Sequence, residues 1–366
     1  MALQREHKKW VFVKWITQKH FDRKSKSRIT SIELLYFKTK KLRYSHFFNK
    51  TIDMQVRVDE NIHTSVLLEE LVAGITLSQT QTNIVVDCTL WLAGHAVKVI
   101  EQMKAWDIFI GLDADIRNLE LAQKRLEEVN FSWKIILIQD NFRNLKESLA
   151  KYNISHCSAI YYDLGVSSLH FDEAERGFSL RLDWPLDMRF DTKQRKTAAD
   201  ILNYDEEKTI FEILRNYGEE PYARKIAAKI IIQRKKKKFE RTFELIEFLE
   251  REINKHIKTK MRVFQALRIA VNEELHALEE SLEAARDILT QWWKIAAISF
   301  HSLEDRIVKH SFKKYARDND YDEISRTYRQ KKQFIILTKK PILPSIEEQK
   351  INPRSRSAKL RIAEKI

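Results

Sequence analysis

Apolar runs of five to seven residues alternate with helical stretches between residues 83 and 163, and three of the four runs end in a carboxylate. The runs are 83–87 (NIVVD), 107–113 (DIFIGLD), 134–139 (KIILIQ) and 158–163 (SAIYYD). Segments 94–103 and 118–129 between them have the pattern of helices. Strands that alternate with helices of about ten residues are typical of a parallel, doubly wound sheet. We therefore predict an α/β fold.

A long helical stretch interrupts this alternation. Residues 172–262 are charged and helical in pattern, 264–289 predicts one helix, and 294–300 (KIAAISF) predicts a further strand. An α/β pattern that resumes after a helical block indicates an inserted helical subdomain. We predict a basic N-terminal extension (1–53), the first part of an α/β domain (54–171), a helical insertion for substrate recognition (172–262), and the completed α/β domain with a basic tail (263–366).

The net charge of +14 on the 366 residues is concentrated at the two ends. Residues 1–53 have a net charge of +10 and residues 309–366 of +9, whereas residues 54–308 come to −5. Within the C-terminal part, Arg354 and Arg356 stand beside small hydroxyl residues, a pattern that can clamp a phosphate backbone. A solvated basic surface is the alternative, and the sequence leaves both open.

The cysteines and the apolar runs bear on the compartment. Cys88 and Cys157 are too few for a disulfide framework and lack the spacing of a zinc site, so we expect a reducing compartment and no metal. No apolar run approaches the roughly 20 residues that cross a bilayer, and the N-terminus lacks the apolar stretch of a secretory signal. We expect a cytoplasmic protein without a membrane partner.

Three carboxylates, Asp87, Asp113 and Asp163, stand at the ends of predicted strands. In a doubly wound sheet, ligands bind beyond the carboxyl ends of the strands, and an acidic residue after the second strand can accept hydrogen bonds from ribose hydroxyls. Each aspartate taken alone is equally typical of a helix cap or turn. The three together favour a cofactor that contains a nucleoside.

Ten motifs, in order along residues 60–366, resemble the RsmH/MraW family. They are 63–70 (HTSVLLEE), 87–95 (DCTLWLAGH), 111–115 (GLDAD), 163–168 (DLGVSS), 175–179 (ERGFS), 185–189 (PLDMR), 217–220 (YGEE), 264–269 (FQALRI), 299–306 (SFHSLEDR) and 352–357 (NPRSRS). The resemblance implies a class I S-adenosyl-L-methionine-dependent methyltransferase fold. It also implies methylation of the N4 amino group of a cytosine in small-subunit (16S) ribosomal RNA, near the decoding centre.

The resemblance also implies the residues that contact the cofactor. Ala93, Gly94 and His95 belong to the turn near its methionine moiety, and Asp113 matches the ribose carboxylate. The remaining matches are Phe142 beside the adenine, Asp163 at the fourth strand, and His170 where the family has glutamine.

Six glycines and eight tryptophans are an inverted ratio, since roughly 26 glycines are usual at this length. Tryptophan replaces glycine of the family at five positions, namely Trp91, Trp106, Trp184, Trp292 and Trp293. Glycine in the first turn permits a positive φ and close approach of the cofactor, which an indole would block. We hypothesise that these are UGA codons that the source organism reads as glycine. UGG codons there would refute the hypothesis.

The implied reaction needs a group that draws electron density toward the poorly nucleophilic cytosine N4. Asp163 and the backbone carbonyls of residues 164–166 could accept the N4–H bond, or Asp163 could instead only hold the cofactor. For the target base and its phosphate, Phe178, Arg176 and Arg189 are candidates. Core packing is the alternative for Phe178, and pairing with Asp172 or Asp187 for the arginines.

Three further expectations remain open. His301, Glu304 and Asp305 could be an acid–base cluster, or Ser302 and Asp305 could form a capping box that begins a helix. The alternatives to an rRNA methyltransferase are a non-catalytic ribosome-assembly homologue and an amino methyltransferase for another nucleic acid. We expect a monomer or homodimer that works on the small ribosomal subunit. Met54 stands at the position where the sequences of family members usually begin.

Overall fold

The computed structural model describes residues 65–129, 134–166, 176–322 and 327–366. The predicted extension (1–53) and the predicted cofactor contact His170 lie outside these residues.

A seven-stranded sheet forms the centre of the described chain. Its strands are β1 (Ile84–Asp87), β2 (Ile108–Asp113), β3 (Lys134–Gln139), β4 (Cys157–Asp163), β5 (Leu289–Ser299), β8 (Phe334–Ile336) and β9 (Lys359–Lys365), while β6 (Asn319–Asp322) and β7 (Thr327–Gln330) pair separately. The order is β3-β2-β1-β4-β5-β9-β8. The first five strands are parallel, and β9 is antiparallel to both of its neighbours. The predicted doubly wound α/β sheet is confirmed.

The helices connect these strands or follow them. They are α1 (Leu68–Gly74), α2 (Gly94–Ile100), α3 (Ile116–Glu128), α4 (Leu145–Ala150), α5 (Ala198–Tyr204), α6 (Glu207–Asn216), α7 (Ala223–Lys236), α8 (Thr242–Glu252), α9 (Ile257–Asn272), α10 (Glu274–Ile288), α11 (Ser302–Tyr315) and α12 (Ile346–Ile351). The single helix predicted at 264–289 is wrong. Glu273 adopts a left-handed backbone with φ 50° between α9 and α10, which ends one helix and redirects the chain.

The helices between β4 and β5 have a hydrophobic core of their own, contributed by α5 to α9 together with Phe178, Leu186 and Met188. Two other apolar clusters cover the two faces of the sheet. From residue 176 onward the first described helix is α5, which begins at Ala198, and residues 176–197 form an irregular loop rather than the helical structure expected there. An isolated bridge between Pro185 and Arg241 holds that loop against α8.

The strand order reverses between β1 and β4, which places the carboxyl ends of these two strands side by side. Asp87 pairs with Tyr161, and Asp163 pairs with Ile298 of β5. Such a switch point leaves a crevice between the loops that leave the sheet in opposite directions. In the described part of the chain, no helix is long and apolar enough to cross a membrane.

Candidate functional site

A cavity lies at this switch point. It spans about 580 Å³ of space between the protein atoms, with the open solvent at its mouth included. Four strand-end turns line it with Cys88, Thr89, Trp91, Asp113, Ala114, Asn141, Phe142, Leu164 and Gly165, and the other wall consists of Phe190, Asn272, Glu274, Ala277, Leu278 and Glu304. The cavity thus lies between the sheet and the helices that follow β4.

Asp113 is fixed at the end of β2 by its own neighbours. Its carboxylate accepts the backbone N–H of Trp91 at 2.9 Å and of Asp115 at 2.8 Å, and the Asn118 amide lies at 3.2 and 3.3 Å. Burial raises the pKa of Asp113 to about 7, although these hydrogen bonds act in the other direction. A carboxylate held at a cavity wall in this way is suited to accepting hydrogen bonds from hydroxyl groups.

The other predicted cofactor contacts occupy two different positions. Phe142 lines the cavity and meets the ring of Tyr162 edge-on at 6.0 Å. Ala93 and Gly94 begin α2 instead, and they are not among the lining residues. A Cβ at Gly94 would come within 2.0 Å of the Ser65 hydroxyl, so this glycine lets α1 and α2 approach.

Asp163 and His95 form a buried pair at the end of β4. His95 Nδ1 lies 3.4 Å from Asp163 Oδ2, and His95 Nε2 lies 2.9 Å from the Val66 carbonyl oxygen. Asp163 Oδ1 is buried and has no hydrogen-bond partner among the described residues. Burial first, and then the charges of Asp87 and Glu304, raise the pKa of Asp163 well above its usual value. Asp163 and His95 are not among the lining residues, but Leu164, the residue after Asp163, lines the cavity. An orphaned buried carboxyl oxygen at this position indicates a place for a donor from a ligand.

The Trp91 indole crosses the switch point. Its Nε1 donates to the Asp163 carbonyl oxygen at 2.7 Å, and its ring meets Phe190 edge-on at 6.5 Å. Its backbone is left-handed, with φ 47°. The side chain therefore occupies the space between β1 and β4 in a conformation that glycine adopts without strain.

The other four tryptophans at family glycine positions differ in backbone conformation. Trp292 has φ 70° and is 65% exposed, whereas Trp106, Trp184 and Trp293 have no left-handed backbone. Trp184 Nε1 is buried without a hydrogen-bond partner among the described residues. Strain at two positions and an unsatisfied donor at a third agree with the glycine hypothesis, which only the codons can decide.

The buried Arg176 side chain links the sheet to the loop before α5 by hydrogen bonds. The residue is 7% exposed, and its guanidinium donates to Asp115 Oδ2 at 3.0 Å. It also donates to the carbonyl oxygens of Arg189 at 2.7 Å and Phe190 at 3.2 Å. The described carboxylate partner of Arg176 is Asp115 and not Asp187, whereas Asp172, the other expected partner, lies outside the described residues. The burial of Arg176 opposes a direct phosphate contact.

Arg189 and Phe178 also follow the alternatives considered from sequence. Arg189 makes two hydrogen bonds to Asp187, at 2.8 and 2.6 Å. Phe178 is buried in the helical core and stacks on Phe190 with ring centroids 5.6 Å apart. Of the two rings, Phe190 is the one that reaches the cavity.

The two C-terminal candidates share one element. Arg354 and Arg356 are exposed on a short 3-10 turn, Pro353–Ser357. A capping box begins α11 one residue earlier than expected: His301 and Glu304 cap each other's backbone, and Asp305 accepts hydrogen bonds from Arg361 instead. Glu304 also lines the cavity, so the cap stands at its edge.

Asn272 and Glu274 are cavity residues that the sequence reading missed. The Asn272 amide receives the Phe190 N–H at 2.7 Å and donates to the Met188 carbonyl at 2.7 Å. Glu274 forms two 2.9 Å hydrogen bonds with Arg268. The polar run at 272–274 inside a predicted helix was the signal that could have found them, since it marks the break between α9 and α10.

Comparisons with known proteins agree on one family. The model of the MraW methylase family matches residues 60–366. Ribosomal RNA small subunit methyltransferase H of Clostridioides difficile is 39% identical, over 83% of this chain and 99% of that protein, and its namesake in Dictyoglomus thermophilum is 41% identical, over 84% and 97%. A solved rRNA methylase from Streptococcus thermophilus covers 82% of this chain and 93% of its own, at 11% identity and a TM-score of 0.37, and adds nothing to this assignment. The chain belongs to the MraW methylase family.

Proposed function

We propose that this chain is an S-adenosyl-L-methionine-dependent methyltransferase that modifies the N4 amino group of a cytosine in small-subunit ribosomal RNA. The observation that carries the proposal is the orphaned Asp163 carboxyl oxygen at the switch point, next to a cavity bordered by Asp113. The names of relatives that are 39 and 41% identical support the substrate class.

The lining residues fit the nucleoside part of this cofactor. Asp113 would accept hydrogen bonds from the ribose hydroxyls, and Phe142 would flank the adenine. When bound, the cofactor supplies an electrophilic methyl group on a sulfonium. Burial raises the pKa of Asp113 to about 7. A ligand that donates hydrogen bonds to this carboxyl group would favour its ionised form.

Asp163 would accept a hydrogen bond from the cytosine N4 amino group and thereby draw electron density toward N4. Its Oδ1 has the unused acceptor capacity, and the Leu164 carbonyl follows next in the chain. His95, 3.4 Å from Oδ2, would orient the carboxyl group from behind. Ala93, Gly94 and His170, the last of which lies outside the described residues, stay proposed cofactor contacts that rest on the family resemblance.

The loop and helices between β4 and β5 would recognise the RNA. Phe190 presents an aromatic ring to the cavity and is backed by Phe178, an arrangement suited to stacking a base that has left its helix. Arg176 would position this wall through its bonds to the Phe190 carbonyl and Asp115. The working compartment would be the cytoplasm, where ribosomes are assembled.

Transfer of tritiated methyl from the cofactor to small subunits or their RNA tests the function. The sample contains protein with glycine at the five tryptophan positions, and nucleoside analysis should find N4-methylcytidine. Asp163→Asn should lower kcat by about 10² to 10⁴, the usual range for a positioned acid–base group. Asp205→Asn, at a surface pair with Lys196, is the matched control and should keep full activity. Cofactor binding without any transfer to RNA would favour a non-catalytic ribosome-assembly homologue. Label in another nucleic acid would favour an amino methyltransferase that acts on that nucleic acid.

A further inference from the structure

A second pocket with a lysine rim lies on the outer edge of the sheet. It is formed by α11 and by the chain from β8 to β9, and it encloses about 560 Å³ including its open mouth. Phe312 and Ile336 contribute apolar surface, and Lys309, Lys313 and Lys339 contribute the positive charge. We name it the lysine pocket.

The charges of the lysine pocket are uncompensated. None of the three lysine side chains has an ion pair or hydrogen bond with any residue that the structure describes. Lys314, the next residue on α11, by contrast lies 3.1 Å from the Glu283 carboxylate. Lys309 and Lys313 are four residues apart on one helix, a spacing at which like charges repel. An anion between them would remove this repulsion.

The carboxylate one turn earlier on α11 is already engaged. Asp305 accepts hydrogen bonds from Arg361 at 2.7 and 3.2 Å, and Lys359 Nζ lies 3.6 Å away. Arg361 also lines the pocket, together with Thr338. Asp305 therefore neutralises the buried arginine and leaves the positive charge of the three lysines facing solvent.

The strand register places this pocket close to the candidate methyl-transfer site. Asp163 pairs with Ile298 of β5, and Ile298 pairs with Leu360 of β9, the residue before Arg361. Neighbouring strands are about 4.8 Å apart, so the backbone of Leu360, next to the lining residue Arg361, lies about 10 Å from that of Asp163. One RNA molecule can reach both places.

We propose that Lys309, Lys313 and Lys339 bind backbone phosphate of the substrate RNA beside the target cytosine. This inference rests on the proposed function and identifies a contact surface for its substrate. A rim of flexible ammonium groups over an apolar floor suits a phosphate with its attached sugar, and phosphate contacts fix the register of a nucleic acid on its protein. The net charge of +9 on residues 309–366 agrees with an anionic partner at this end of the chain.

The test is the salt dependence of RNA binding by the variant Lys309→Gln/Lys313→Gln/Lys339→Gln. Each lost phosphate contact lowers the slope of log K against log [salt] by about 0.7 to 0.9, so the triple variant should lose about 2 to 3. The KM for RNA should rise at least tenfold at physiological salt, while kcat at saturating RNA and cofactor affinity stay unchanged. The triple arginine variant should recover the wild-type slope.

The matched control removes three exposed lysines near the opposite edge of the sheet, as Lys124→Gln/Lys134→Gln/Lys151→Gln. It should leave the slope within about 0.5 of wild type. An unchanged slope in the pocket variant, or an equal loss in the control, would overturn the lysine pocket while wild-type methyl transfer upholds the function. Wild-type protein that neither binds nor methylates the RNA would overturn both proposals.

Discussion

Replacement of Trp91 by glycine separates the strain of the first turn from its contacts. The left-handed backbone at φ 47° costs a non-glycine residue about 1 to 2 kcal/mol, which glycine would recover. The lost contacts are the hydrogen bond to the Asp163 carbonyl and the edge-on meeting with Phe190. These contribute about 1 kcal/mol and about 0.5 to 1.5 kcal/mol.

These contacts offset the recovered strain, and the half-buried indole also loses apolar contacts. We therefore expect Trp91→Gly to lower the free energy of unfolding by about 1 to 3 kcal/mol. Truncation of a buried aromatic residue without such strain costs about 3 to 5 kcal/mol. The affinity for S-adenosyl-L-methionine should rise at least tenfold, because the indole no longer spans the crevice between β1 and β4. Urea unfolding and titration calorimetry measure the two quantities.

Trp91→Ala is the matched control, since it removes the indole and keeps a Cβ on the left-handed backbone. It should open the cofactor site as well, but be less stable than the glycine variant by about 1 kcal/mol. The reasoning is refuted by a loss above about 3 kcal/mol in the glycine variant, or by an unchanged cofactor affinity.

Three further predictions concern burial, titration and strain. Arg176→Met should lower the free energy of unfolding in urea by about 3 to 5 kcal/mol, because it removes the guanidinium from buried Asp115. Adding Asp115→Asn should recover much of that loss. Equal stability of Arg176→Met and the wild-type protein would contradict the buried pair. The pKa of Asp113, raised from 3.8 to about 7, means that its contribution to the stability of the unliganded protein falls as pH rises between these values. Cofactor affinity should rise between pH 6 and 8 by titration calorimetry, and Asp113→Asn should flatten this profile; a flat wild-type profile would contradict a ribose role. Trp292→Gly should raise the free energy of unfolding by about 1 kcal/mol, because φ is 70° at an exposed site. Trp106→Gly is the control and should give no gain, because Trp106 has no left-handed backbone. Equal effects of the two substitutions in thermal unfolding would argue against strain at Trp292.

Much of the sheet could be predicted from local pattern. The predicted run 134–139 coincides with β3, and the strands that end at Asp87, Asp113 and Asp163 end there in the structure. A buried parallel strand is a short continuous apolar run, so its signal lies in consecutive residues. Helix boundaries were less predictable, because the break at Glu273 depends on a backbone conformation that its residue type does not announce.

In the candidate site, too, some residues could be predicted from the sequence and others could not. Asp113 and Phe142 line the cavity as their positions at strand ends suggested. The partner of Arg176 could not be predicted, because Asp115 is 61 residues earlier in the chain and meets it only when the loop before α5 packs on the sheet. Asn272 and Glu274 join the cavity for the same reason.

The sequence alone determined the α/β alternation, the carboxylates at the strand ends, the family motifs and the concentration of positive charge near the C-terminus. Each of these is a property of neighbouring residues. The tertiary structure decided which charges are buried in pairs and which face solvent, since Arg176 and the pocket lysine Lys309 are both cations in polar segments. Only packing distinguishes them: Arg176 is enclosed with a carboxylate, and Lys309 shares an open rim with two other lysines.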